Sequence, residues 1–454
     1  MKKVFLIIVF AILPFLCGAQ ALKGSYFLDN SLNRHELNPA FAPRADYLQL
    51  FGIGNIGVGL NSNLEIPAFY YPKNGELVTF LHPSVSVSDF DKALAKDLTA
   101  YADISTTLLG FGFYTGKKSY WTFDLDWCLN MDGALPRDLF MFLKKGTGVS
   151  GQSFNVGSYS QDIYANLQAS LGYSRDIFKG LRVGAKARLI APVAYASIDM
   201  GNITLKTASD KWELAMDGYM HTALNGVDLS VPSDEIDWSQ LLNGNPFVGF
   251  GYSFDFGAEY VLELGTFFDG LSVSAAVTDL GQIHYKDSAV SSYKSEGSVE
   301  WSGVEDVENI LDDFIGFSEI QNEGSFTRST IPGVHVGVEM PFLKRSMSVG
   351  LLYSARIGRS YTSNELMVSY NLNPCKWFAL GLNYSFLSGA DALGFLMEFT
   401  PRIGPAFYIG CDYFPTSFAP VSYNSGVELL PMSMRCNLNF GIALHLGGKT
   451  TREK

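Results

Sequence analysis

What most restricts this chain is an alternation of period two that returns along nearly its whole length. It is clearest near the C-terminus, where Met434, Cys436, Leu438, Phe440, Ile442, Leu444 and Leu446 alternate with Arg435, Asn437, Asn439, Gly441, Ala443 and His445. One side of that run is apolar throughout; the other is polar or small. Trp121, Phe123, Leu125, Trp127 and Leu129 oppose Thr122, Asp124, Asp126, Cys128 and Asn130 in the same way. So do Phe250, Tyr252, Phe254, Phe256, Ala258 and Tyr260 against Gly251, Ser253, Asp255, Gly257 and Glu259. Successive side chains of a strand point to opposite faces, so each run makes a strand with one apolar face.

Soluble sandwiches share this alternation, and two further features separate them from membrane barrels. Many runs reach the roughly 9–11 residues of a tilted membrane strand, beyond the roughly 5–6 usual in soluble sheets. Connections also alternate in length. Short ones fall at 116–118, 178–180, 208–211, 342–345, 373–376 and 401–405, and longer ones at 61–105, 131–161, 224–246, 281–330 and 415–432. Tight periplasmic turns and long outer loops are the habit of transmembrane barrels. A soluble barrel has no reason to sort its loops by end.

Composition agrees. Aromatic residues make up 14% and glycines number 45, while charged residues are only 17%. That is little charge for a soluble chain and ample material for a lipid-facing sheet. The formal net charge is −12. Without a basic stripe, such a chain is not built for nucleic acid.

Lys2 and Lys3 precede an apolar run at 4–16, broken only by Pro14 and followed by the small residues Gly18 and Ala19. The run is shorter than the roughly 20 residues of a spanning helix. It reads as a signal peptide, residues 1–19, cut after Ala19. Losing Lys2 and Lys3 takes the charge from −12 to −14. The division that follows is an N-terminal plug or hatch at 20–46, a barrel at 47–447 and a polar tail at 448–454.

Three loop stretches have helical spacing. Ser88 starts one as an N-cap in a Ser-x-x-Asp pattern with Asp91, with Phe90, Leu94 and Leu98 as its apolar stripe. Residues 135–144 form a second. Residues 305–320 form the third, with Val307, Ile310, Leu311, Phe314 and Ile315 on one side. A direct count of strand runs gives near sixteen. The stretch 181–222 is the least definite, since Ala191-Pro192-Val193 reads either as an outer turn or as a kink in one strand.

No catalytic constellation is present. The six histidines are scattered, and no nucleophile elbow, His-Glu-x-x-His or phosphate loop occurs. No metal or cofactor is expected. Asp124-x-Asp126 and Asn130-x-Asp132-Gly133 fail the calcium-loop spacing, because Cys128 and Leu129 stand where an oxygen ligand and the glycine belong. Cys128, Cys375, Cys411 and Cys436 lack zinc spacing. Cys411 and Cys436 flank the last hairpin, where a disulfide across paired strands would be strained.

The inward faces carry charge. Arg182, Lys186 and Arg188 share one side of a run, Asp124 and Asp126 another, and Asp255 and Glu259 a third. These seven are candidates to select a solute or anchor a hatch. The plainer reading is that they pair with each other to fill the lumen.

The segment Leu37-Asn38-Pro39-Ala40-Phe41-Ala42-Pro43 resembles the stretch before strand one of FadL-like barrels, which include long-chain fatty-acid transporters and the PorV-type barrels of Bacteroidota. Two further matches are 251–260 (GYSFDFGAEY) and Val277-Thr278-Asp279-Leu280-Gly281-Gln282-Ile283. The resemblance covers most of the mature chain and is strongest to a Bacteroidota branch of that group. It implies an all-β, antiparallel transmembrane barrel in a Gram-negative outer membrane. It implies fourteen strands, within a range of 12–16, with one or two of the counted runs belonging to loop hairpins or the plug. It also implies a hatch in which Asn38, Pro39 and Ala40 form the plug motif.

Two functions follow. In one, the barrel sits in outer-membrane lipid as a conduit or binding protein for a hydrophobic small molecule, released through or sideways from the wall near Pro192 or another kink. In the other, it is an accessory subunit that grips an outer-membrane protein partner through its loops or the 305–320 helix, in a PorV-like secretion role.

Overall fold

Fourteen antiparallel strands follow one another round a closed barrel. The computed structural model describes residues 22–447 apart from 51–53, 64, 74–75, 97, 146–151, 208–211, 226–244, 263–269, 302–317, 321–323, 344, 359–361, 388–390, 417, 424–425 and 432–434. The expected signal peptide at 1–19, the tail at 448–454 and the apolar stripe Val307 to Ile315 therefore lie outside the described residues.

Strand β1 is made of two pieces, Asp46–Gln49 and Ile56–Ser62. Then come β2 Leu98–Thr115, β3 Ser119–Leu135, β4 Gln152–Phe178, β5 Leu181–Thr207, β6 Gly249–Val261 and β7 Ser272–Tyr285. Strand β8 is again in two pieces, Phe326–Ser329 and Gly333–Phe342. β9 Met347–Ile357, β10 Thr362–Cys375, β11 Phe378–Leu387, β12 Ala392–Phe399, β13 Ile403–Pro415 and β14 Cys436–Gly447 complete the wall. Both pieces of β1 pair with β2 on one side and β14 on the other, which closes the sheet and leaves no barrel edge.

The faces divide as alternation requires. On β6, Phe250, Phe254 and Phe256 are exposed on the outer wall, whereas Ser253, Asp255 and Glu259 are buried within. On β14, Leu438, Phe440, Ile442, Leu444 and Leu446 point out, while Asn437, Asn439, Ala443 and His445 are buried. An outer wall of contiguous large apolar side chains is what hydrocarbon accepts and water does not. Aromatic pairs gather at one rim: Trp121 with Tyr173, Phe178 with Tyr260, Phe342 with Tyr370, and Trp377 with Phe399. Amphipathic rings concentrate at a membrane–water boundary.

That rim also carries the tight turns. Gly116 and Gly180 hold positive φ there (+74° and +89°), which a hairpin needs and a side chain resists. One expectation is corrected. The connection 208–211, grouped with the tight turns, joins Thr207 to Trp212 at the opposite rim. β5 runs its full 27 residues upward beside the equally long β4, past the other strands of the wall, before turning back. The opposite rim also has short connections, 358–361 and 388–391, between β9 and β10 and between β11 and β12.

Pro192 is a kink inside one strand and not an outer turn. Below it β5 pairs with β6 from Leu181 to Ile190. Above it β5 pairs with a separate strand, Trp212–Leu224, from Ala194 onward. Proline has no N–H to give a ladder, so it fits where the partner changes. Trp212–Leu224 pairs in turn with Val290–Trp301, and that with Ser318–Ile320. These three strands stand above the barrel and are not among its fourteen; of them, Trp212–Leu224 lies mostly in the stretch where the direct count is least definite. Ser318–Ile320 corrects the end of the helix expected over 305–320.

Two other loop helices are present with altered limits. The first spans Val87–Ala93, and its N-cap is Ser86, not Ser88: the Ser86 hydroxyl accepts from the Asp89 N–H at 3.0 Å. The second spans Arg137–Lys145, two residues later than its expected start. Phe90, Leu94, Leu98 and Met141 bury together between these helices and the strand ends. The four cysteines among the described residues are free thiols.

Candidate functional site

Residues 22–45 pass inside the barrel, and nearly all are buried. Apolar side chains wedge against the inner wall in three places. Tyr26, Phe27, Leu37 and Phe41 pack on Leu352 and Met367; Leu22 and Leu28 on Ala379, Leu396 and Tyr408; Leu32 on Tyr47, Tyr120 and Ala443.

The wall makes room for this segment with glycine. A Cβ at Gly184 would run into the Pro39 carbonyl, and one at Gly257 into the Asn38 side chain. A Cβ at Gly337 would meet the Tyr26 ring and one at Gly350 the Phe27 ring. Asn38 locks the approach. Its Oδ1 accepts from the Ala40 N–H (2.9 Å), and its Nδ2 reaches the carbonyls of Ala258 (3.3 Å) and Ala275 (3.5 Å) on β6 and β7. Pro39 keeps Asn38 extended, with φ −153° and ψ 111°. The motif is thus a backbone clasp seated on two glycine clearings.

Charge holds the segment at two further points. His35 sets Nδ1 against the Leu32 carbonyl (2.6 Å) and Nε2 against Asp124 Oδ2 (2.9 Å). Lys186 stands 3.6 Å from the same carboxylate. At the other end, Asp412 accepts from the backbone N–H groups of Lys23 (2.6 Å) and Gly24 (2.8 Å). The Lys23 ammonium donates to Glu365 (2.5 Å) and Tyr413 (2.9 Å). Within the segment, Asp29 bridges Arg34 and Arg44, both at 2.8 Å, and the Arg34 guanidinium lies 4.0 Å over the Phe41 ring. Burial pushes the Glu36 carboxyl above its ordinary range.

The seven lumen candidates do not form one site. Asp124 and Lys186 meet the N-terminal segment through His35. Arg188 bonds Asp255 (3.1 Å), Ser253 (3.2 Å) and Asp279 inside the wall. Arg182 turns to Asp176 (3.1 Å) and Ser174 near the tight-turn rim. Asp126 accepts from Thr107 (2.7 Å), and Glu259 is buried. Glu365 and Asp412 are further inward acids that the same rule reveals: each stands on the inward side of its run, with Met367 and Ser369 or Tyr408 and Gly410.

The Arg188 cluster marks an interruption in the wall. Asp279 has φ +58° and shifts the register of β7 against β6 between Phe254 and Phe256. Above that bulge the inward side of β7 changes from Ser274 and Ala276 to Ile283 and Tyr285. Opposite it, the β7–β8 ladder stops at Thr278–Gly333 and resumes at Gln282–Ser329. Thr330 spans the break, donating its N–H to Gly281 (3.0 Å) and its hydroxyl to the Asp279 carbonyl (2.5 Å).

A cavity of about 740 Å³ lies at this interruption. Phe326, Ile331, Pro332 and Ile357 supply apolar lining, with Tyr195 from β5 and Ser197, His221 and Ser292 above. Leu280, on the same lining, is an exposed residue of the outer wall. The cavity lining thus includes residues of both the inner and the outer face. Arg328 borders it and reaches across the lumen to Asp162 (3.3 Å) and Asp132 (3.5 Å), lying 4.3 Å over the Tyr164 ring. Tyr195, Tyr285 and Phe326 pack around it with ring centroids 4.7–5.3 Å apart.

Comparison with solved structures finds barrels of similar overall course. The Ralstonia pickettii toluene transporter TbuX is 9% identical with a TM-score of 0.41, covering 91% of this chain and 93% of its own. A Pseudomonas aeruginosa FadL homologue is 12% identical with a TM-score of 0.41, covering 94% and 97%. The Pseudomonas putida toluene transporter TodX is 11% identical with a TM-score of 0.40, covering 94% and 98%. No curated protein matches the sequence. One family model does, over residues 39–412, from the clasp at Pro39 to the anchor at Asp412, and the chain therefore belongs to the family of unknown function DUF5723.

Proposed function

We propose that this barrel is an outer-membrane conduit for a hydrophobic small molecule, which enters the wall cavity and leaves sideways through the β7–β8 interruption. The observation that carries the reading is the cavity itself. At about 740 Å³ it lies within the size of small-molecule sites, has an apolar lining and shares Leu280 with the outer wall. The tight-turn rim faces the periplasm in this reading, and residues 22–45 serve as the plug. With its clasp, its glycine clearings and its two charged anchors, the plug holds the lower lumen shut while cargo moves above it. Asp124 and Lys186 are then plug anchors, and Arg188 with Asp255 secures the bulge below the cavity.

The test uses N-phenyl-1-naphthylamine, a neutral dye that an intact outer membrane excludes. Cells expressing the barrel take it up faster than cells with empty vector, and Ile331→Trp, which fills the cavity, removes the gain. Equal uptake in all three strains would reject the conduit.

A further inference from the structure

Among the described residues of the lining, Arg328 is the one lysine or arginine, and two carboxylates face it. Arg328 faces two carboxylates, Asp132 on β3 and Asp162 on β4, whose side chains are each 3% exposed. Arg328 itself is 9% exposed and lies against the Tyr164 and Tyr195 rings. The guanidinium looks like the residue that would receive an acid head group. Its donors, however, already face two buried carboxylates, so these three groups together carry one net negative formal charge. A buried anion brought beside it would meet repulsion from two fixed charges in a poorly screened place. The other polar groups on the lining, including the Ser197 and Ser292 hydroxyls and the His221 ring on Ser292 (2.8 Å), suit a neutral hydrogen-bonding group.

We infer that Asp132 and Asp162 determine ligand choice through Arg328: by cancelling its charge they set the cavity for uncharged hydrophobic molecules and against carboxylates and sulfonates. This rests on the reading of the cavity as the ligand site. The two aspartates are positioning residues, since they act on the ligand only through the guanidinium they hold.

Two dyes with one body separate the possibilities. N-phenyl-1-naphthylamine is neutral, and 8-anilino-1-naphthalenesulfonate is nearly the same molecule with a sulfonate. Binding of each is measured by fluorescence on the full barrel in nanodiscs of zwitterionic lipid, with Ser197→Trp and Ile331→Trp giving the signal from lipid alone. The wild-type barrel binds the neutral dye above that baseline and the sulfonate at least about tenfold more weakly. Asp132→Asn with Asp162→Asn keeps the shape of the cluster and uncovers the Arg328 charge. That variant gains about tenfold or more for the sulfonate and leaves the neutral dye nearly unchanged. Adding Arg328→Gln to the pair removes the gain, which a loosened fold would not do. Equal binding of both dyes to the wild type, or no gain in the double variant, overturns the charge filter while the cavity reading stands. Neither dye exceeding the filled-cavity baseline overturns the cavity reading itself.

Discussion

At Gly184 and Gly257 the N-terminal segment lies where a side chain would be. The obstacle differs at the two sites, and so does the expected cost. At Gly184 it is the Pro39 backbone, which cannot turn aside; at Gly257 it is the tip of Asn38. Gly184→Ala is expected to destabilise the seated plug by about 1–3 kcal/mol, and Gly257→Ala by less. Gly201→Ala, whose Cβ would find only ordinary contacts, serves as the control. Cleavage at Lys23, Arg34 and Arg44 by added trypsin reports seating, and the order Gly184 before Gly257 before Gly201 is the checkable outcome. Glu36 adds a pH dependence. Its carboxyl is raised by burial, so the seated state disfavours ionisation. Plug retention is therefore greatest below the ordinary carboxylate range and weakens as pH rises through it toward the raised value. Glu36→Gln should flatten that slope in the same trypsin assay, and an unchanged slope would assign it to another group.

Among the elements, the helix Val87–Ala93 shows how a local rule finds a helix and misplaces its start. Ser86 and Ser88 both satisfy the preference for serine at an N-cap, and Ser88 also has an acid three residues on. Only Ser86 has extended dihedrals (φ −76°, ψ 152°) and bonds the Asp89 N–H. Ser86→Ala should cost the helix about 1 kcal/mol, whereas Ser88→Ala should cost nearly nothing. Hydrogen exchange at the Phe90 amide, which bonds the Ser86 carbonyl at 3.1 Å, measures the difference. β5 teaches the complementary lesson. Its alternation persists through Pro192, so the run looks either continuous or turned, and what decides is that β6 leaves and Trp212–Leu224 arrives at that height. The break in β8 at Thr330-Ile331-Pro332 is likewise matched by the bulge at Asp279 on its neighbour, a correspondence between residues about fifty positions apart.

For the whole molecule, an even strand count brings both ends of the barrel to the rim of tight turns. Insertion with that rim in the periplasm puts the helices Val87–Ala93 and Arg137–Lys145 outside the cell. With the native cysteines replaced by serine, Lys92→Cys should react with a membrane-impermeant maleimide on intact cells, and Lys117→Cys only after the outer membrane is opened. The reverse pattern would invert the barrel. Closure through β1 and β14 also removes every wall edge, so the folded barrel should resist SDS until heated, as a shift in gel mobility shows.

The sequence by itself determined the barrel, the lipid side of each strand and the rim on which most tight turns lie. Those properties are local: the period of two, the length of a run and the residues between runs are all read within about thirty positions. It also marked Asn38-Pro39-Ala40 and the inward charges Asp124, Lys186, Arg188 and Asp255, because polar residues on an inner face stand out in any alternating run. It left open what each charge meets. That His35 reaches Asp124, that Lys23 reaches Glu365, and that Arg328 crosses the lumen to Asp132 and Asp162 are contacts over 89 to 342 positions. Only the tertiary structure decided them, because curling the sheet into a tube brings facing walls together, and a segment from the far N-terminus fills the space between.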